Sequence, residues 1–305
     1  MRDIRTDLAL ELRENLGRSP KGVEVEEYQT DQDFHVTHVE ITSLRGEAEL
    51  GKPMGNYITV EMESISGMPP ERLESAAKEV GAQIEKLSTG NCEGTILIVG
   101  LGNRKVTPDA LGPKVTERVF VTRHIRQHIP EAIDQRAATV CAIAPGVLGV
   151  TGMETEEVVS SICSEIKPSL VIAIDALASR KTGRIGASIQ ISDTGISPGS
   201  GLGNHRKSLN EEGLGAKVMA IGVPMVTYAA TIAGDLVENA LGASVDEGDL
   251  RQLVDAVVSA EGGELIVTPK NIDVLIDKTS QLVAKSLNYA LHRGISAEEI
   301  RAFME

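Results

Sequence analysis

Hydrophobic and polar positions in this chain follow two periods, one after the other. Residues 34–42 (FHVTHVEIT) and 57–62 (YITVEM) alternate apolar with polar, as half-buried strands do, and read as a β-pair covering one side. Residues 69–87 shift to the wider spacing of an amphipathic helix. From there strands are predicted at 95–100, 138–144, 170–175, 185–192 and 218–223, with helices at 113–129, 154–166, 227–241 and 269–292. ILIVG and LVIAI are apolar at every position, the pattern of strands covered on both faces. The alternation predicts an α/β fold: a mostly parallel central sheet with helices on both faces. One passage, 194–203 (TGISPGSGLG), has too much glycine for regular structure and predicts a functional or mobile loop. Residues 242–264, with GASVDEGD and EGGE, read as a surface excursion from a single domain.

Composition narrows the function more than the fold. Forty-four acidic against thirty basic residues give a formal net charge of −14, which repels phosphate backbones and argues against direct nucleic-acid binding. With no tryptophan and only seven other aromatic residues, a stacking platform for single strands is weakened and the core is left mainly to Val, Ile, Leu and Ala. No apolar run is long enough to span a membrane and the N-terminus is charged, so the cytoplasm is the expected compartment. Cys92, Cys141 and Cys163 are widely spaced and read as reduced thiols.

Candidate chemistry sits at two strand ends. In residues 95–113, TILIVGLGNRKVTPDALGP, an apolar strand enters a glycine turn and then Asp109; Asp175 ends a second such strand, VIAID. Ligand crevices in open α/β sheets lie beyond the carboxyl ends of the strands. If the order is 2-1-3, the two strands are neighbours about 4.8 Å apart and both carboxylates face one crevice. Such a pair has two chemistries open to it. One proton shared between them lets the charged member activate water while the other polarises a carbonyl. Alternatively, both hold a divalent metal with a third ligand. The bland reading is a turn residue after Pro108 and a strand-end acceptor. The GLG turn lacks the third glycine of a dinucleotide fingerprint, which leaves a nucleotide-binding module as a weak alternative. His124 and His128 lack the glutamate of a zinc-protease helix, and no serine or cysteine nucleophile motif occurs.

Five segments in order, VGLGNRKVTPDALGP, IAPGVLGVTGMET, IAIDALASR, IQISDTGISPGSGLGN and LIVTPKNID, resemble the germination proteases of endospore-forming bacteria. The resemblance implies an endopeptidase that degrades small acid-soluble spore proteins during germination, made as a zymogen in the forespore and spore core and assembled as a homotetramer. It places the proposed catalytic aspartates on Asp109 and Asp175. A more distant similarity to hydrogenase maturation endopeptidases implies a core of that kind, with the two acidic positions binding metal alongside a histidine; His205 is the candidate here. It also supplies the rival function, a metal-dependent cut at the C-terminus of one partner enzyme.

The same resemblance implies maturation at a site similar to the substrates' own, an acidic residue followed by a hydrophobic-small-acidic pattern. RTDLALE, at residues 5–11, fits and predicts cleavage between Asp7 and Leu8, leaving 1–7 as propeptide and 8–305 as the peptidase domain. This propeptide and the 242–264 segment are both shorter than is usual in the family. A substrate with flanking glutamates needs cationic subsites, and Arg180, Lys181, Arg206 and Lys207 are the candidates.

Overall fold

The computed structural model describes residues 6–18, 20–88, 94–197, 207–233 and 265–304. Among these residues nine strands are formed: β1 (Val23–Gln29), β2 (His35–Ile41), β3 (Gly55–Glu61), β4 (Thr95–Gly100), β5 (Thr139–Ile143), β6 (Leu170–Ala178), β7 (Ser188–Ser192), β8 (Lys217–Tyr228) and β9 (Ile266–Val267). They lie side by side as β1-β2-β3-β7-β8-β6-β4-β5, with β9 added to the end of β8.

The α/β class holds, but the mostly parallel sheet is only half of the picture. β8, β6, β4 and β5 run parallel, and β5-β4-β6 is the expected 2-1-3 order. From β1 through β2, β3 and β7 to β8 every pairing is antiparallel. Connection length explains part of this. The chain turns back over residues 30–34 between β1 and β2, a span without room for the crossover a parallel neighbour needs.

One face of the sheet is covered by the helices Pro70–Ser88 and Ile272–Leu291. They bury Ile96, Ile98, Ile172, Ile174, Ile189, Ile191, Met219 and Ile221, each worth roughly 1.5–3 kcal/mol once removed from water. The opposite face carries two smaller cores. Leu97, Val99, Val171, Ala173 and Val218 meet Val159 and Cys163 of the helix Thr155–Ile166. At the antiparallel end, Val39, Ile41 and Tyr57 meet Ala9 of the N-terminal helix Ala9–Asn15 and Leu50 of the helix Leu44–Leu50. Between these two cores the sheet face is left open to a cavity.

Three expectations change. The helix expected at 113–129 is two short helices, Leu111–Thr116 and Arg123–His128. Between them Phe120 donates its N–H to Asn288 Oδ1 at 3.0 Å and Thr122 donates to the Val140 carbonyl at 2.9 Å, which ties the chain to its neighbours instead of to itself. β6 and β8 outrun their expected ends at 175 and 223, through a register shift at Leu177/Ala178. β1 was not anticipated. The helix expected at 227–241 falls largely, and the excursion at 242–264 wholly, outside the described residues. Among the described helices none is long and apolar enough to cross a membrane.

Candidate active site

Asp175 and Gln190 are both paired in register with Gly222, one from β6 and the other from β7, so the three form a row across β6-β8-β7. At about 4.8 Å per strand, the outer two Cα atoms lie roughly 10 Å apart. Gly222 between them carries no side chain, and a Cβ there would stand 2.3 Å from Leu177 Cδ1. The row forms part of the wall of a cavity of about 220 Å³, which Asp7, Lys52 and Tyr57 also line. Asp175 is 4% exposed, and the N–H of Ala176 donates to its Oδ1 at 2.9 Å.

Electrostatics differ along the rim. Burial lowers the pKa of Lys52 from the ordinary lysine range, with the nearby Asp7 charge opposing the shift. Burial pushes the Tyr57 phenol up to about 12 against a hydrogen bond donated by Thr194, so it stays protonated and donates to the Pro53 carbonyl at 2.8 Å.

Asp109 lies at the end of a 3₁₀ turn, Thr107–Asp109, that touches β6 and β8. Its Oδ2 accepts the Asn103 N–H at 2.6 Å. Gly102 sits directly beneath it with φ 106°, and a Cβ there would be 2.1 Å from the Asp109 carbonyl oxygen, so the turn requires glycine. Asp109 thus braces the glycine turn at the end of the sheet that carries Asp175, and it is not part of the cavity lining.

The cavity is capped by the chain's own N-terminus. Asp7 donates its N–H to the Ala178 carbonyl at 3.0 Å and accepts the Ala178 N–H on Oδ2 at 2.9 Å, which seats it beside the last residue of β6. The Gln190 amide spans Leu8: Nε2 donates to the Asp7 carbonyl at 3.4 Å, and Oε1 accepts the Ala9 N–H at 2.8 Å. Leu8 is fully buried.

The cations expected to bind substrate divide. Arg180 and Lys181 meet the N-terminal helix: the Arg180 guanidinium donates to Asn15 Oδ1, and Lys181 Nζ pairs with Glu14 at 2.8 Å. Lys207 stands exposed on Glu156 at 3.1 Å. Arg206 and His205 lie outside the described residues. Among the described residues no group of three or more His, Cys, Asp or Glu could hold a metal ion. Hard divalent cations take six or more ligands, so Asp109 and Asp175 do not by themselves complete a donor set.

Sequence reasoning missed Gln190 and Arg184. Gln190 did carry a signal. SIQIS alternates like a half-exposed strand, yet Ser188, Gln190 and Ser192 are all buried, so its polar positions mark a pocket and not solvent. Arg184 has no local signal, since its partners Glu11, Glu14 and Glu61 are all more than 120 residues away.

Comparison with known proteins places this chain in a family. A family profile described as germination protease matches residues 2–243 and 238–304. The two matches meet at the edge of the 242–264 segment. The chain is 41% identical to a germination protease of Clostridium perfringens, with all of both chains covered. It is 40% identical to that of Clostridium tetani, covering 99% of each chain. With that of Bacillus velezensis it shares 37%, covering 97% of this chain and 95% of the other. Relatives this similar over full length leave no room for the nucleotide-binding alternative: the chain belongs to the germination protease family and is a peptidase.

Proposed function

We propose that this peptidase degrades small acid-soluble spore proteins during germination in the spore cytoplasm, as a homotetramer. It is made as a zymogen and cuts its own chain between Asp7 and Leu8, with Asp109 and Asp175 as the catalytic pair. The observation that carries the reading is the Asp7–Leu8 peptide itself, held at its carbonyl by Gln190 beside a cavity whose wall includes Asp175. An acidic residue before the bond and hydrophobic, small and acidic residues after it match the substrate pattern the family implies.

In the reaction, water adds its oxygen to the Asp7 carbonyl carbon. One carboxylate of the pair accepts the water proton, and the protonated partner returns a proton to the Leu8 nitrogen as the C–N bond breaks. Gln190 Nε2 faces the carbonyl oxygen, where negative charge develops. A divalent metal, where bound, would supply the same activation of water through the two carboxylates with further donors such as His205. Arg180, Lys181, Arg206 and Lys207 bind acidic side chains of the substrate.

Single replacements Asp109→Asn and Asp175→Asn test this. Each is expected to lower both self-cleavage and spore-protein cleavage by about 10²-fold or more, measured by N-terminal sequencing and digestion with and without chelator. Near-normal activity of either variant defeats the paired-carboxylate mechanism, and loss on chelation in the parent chain selects metal.

A further inference from the structure

Glu11, the fourth residue after the proposed cleavage point, occupies a built pocket just beyond the end of β6. Its carboxylate is 1% exposed and accepts hydrogen bonds from Ser179 Oγ at 2.9 Å, the Arg180 N–H at 2.7 Å and the Lys181 N–H at 2.9 Å. The Arg184 guanidinium adds a contact at 3.4 Å, and Thr6 Oγ1 donates from the N-terminal segment itself. Apart from Thr6, every donor comes from residues 179–184, only a few positions beyond Asp175.

Three observations make this more than an anchor for a short helix. The donors are fixed without the occupant: two are backbone N–H groups, and Arg184 is also held by Glu61 of β3 at 2.8 Å, a scaffold contact that does not involve the N-terminus. The chemistry is selective, since a buried carboxylate is satisfied there and a neutral side chain would leave donors unpaired. The spacing is set, because Asp7 and Glu11 are seated at once, one on Ala178 and the other on the next turn of chain.

Resting on the endopeptidase reading above, we propose that this pocket, formed by Ser179, the N–H groups of Arg180 and Lys181, and Arg184, is the subsite that reads the acidic residue four positions after the cut bond of a protein substrate. The chain's own Glu11 fills it first and must leave before a substrate is cut in trans. Glu14 strengthens the hold of the resident segment, pairing with Arg184 at 2.8 Å and with Lys181 at 2.8 Å. The exposed cation Lys207 has no part in this subsite.

The test uses the matured full chain and two synthetic peptides copying residues 1–16, one with the natural sequence and one carrying Glu11→Gln. The parent enzyme is expected to cleave the natural peptide with kcat/KM at least about 10-fold above the Gln peptide, as a lost charged hydrogen bond implies. Arg184→Gln and Ser179→Ala are each expected to shrink that ratio toward one, by lowering cleavage of the natural peptide and sparing the Gln peptide. Ser179→Ala removes one hydroxyl and decides the matter if Arg184→Gln unfolds. Parent enzyme that cuts both peptides equally, or variants that slow both by the same factor, overturn the subsite while leaving the endopeptidase reading intact. Failure of the parent to cut either peptide or any spore protein overturns that reading itself.

Discussion

Arg184 and Lys207 are both cations paired with glutamates, yet they occupy opposite environments. The segment from Ser179 to Arg184 closes over three glutamates, with the Arg184 side chain 9% exposed against a Glu11 that is 1% exposed. Lys207 stands 66% exposed on Glu156. Both are ion pairs, but water screens the second and is excluded from the first, so only the first couples charge to structure. Burial, and not charge alone, ties a cation to the fold.

The sharpest way to break this contrast is Arg184→Ala. It leaves Glu11, Glu14 and Glu61 without their shared cation and is expected to cost about 3–5 kcal/mol in urea unfolding. A loss no larger than that of Lys207→Ala would make the two cations equivalent.

A smaller effect is expected from pH. Burial would raise the Glu14 carboxyl, but the hydrogen bonds from Arg184 and Lys181 outweigh it and hold the pKa at about 2, below the ordinary 4.5. Its folded pKa is depressed, so its contribution is fully present above pH 4.5 and is lost as pH falls from there toward about 2. Burial also lowers His292 from 6.5 to about 4; its Nε2–H donates to the Phe120 carbonyl, and the ring stays neutral. The folded state resists protonating it, so that contribution declines earlier, between pH 6.5 and about 4. Urea midpoints followed from pH 7 downward should fall in both windows, and Glu14→Gln should flatten the lower one alone.

The smallest effect is expected at the exposed pair. Lys207→Ala should leave the unfolding midpoint unchanged within error, at low and high salt alike. A salt-dependent loss there would mean that this pair, too, is coupled to the fold.

The parts of this molecule legible in sequence are those decided by local pattern. β4 and the start of β6 announced themselves because strands buried on both faces are apolar throughout, and the glycine turn before Asp109 is local punctuation. The antiparallel half was only partly legible. β1 reads VEVEEYQ and is mostly exposed at the sheet's edge, so its alternation was lost in a polar stretch. Asp7, Leu8 and Asp175 could be named from their segments, but the cavity that gathers Asp7 and Asp175 is made by register between distant strands, with Gly222 as the shared partner. Arg184 was illegible for the same reason: its meaning lies in Glu11 and Glu61, which only the fold brings to it.

Asp7 and the β6 strand it caps belong to one covalent chain. The bond proposed for cutting therefore meets its cavity at an effective concentration set by tethering rather than by the amount of protein in the cell. Maturation of that kind runs as a first-order clock, indifferent to dilution. On the proposed reading, a free substrate competes with a segment that stays tethered, so the timing of activity would follow how long that segment lingers and not how often substrate arrives.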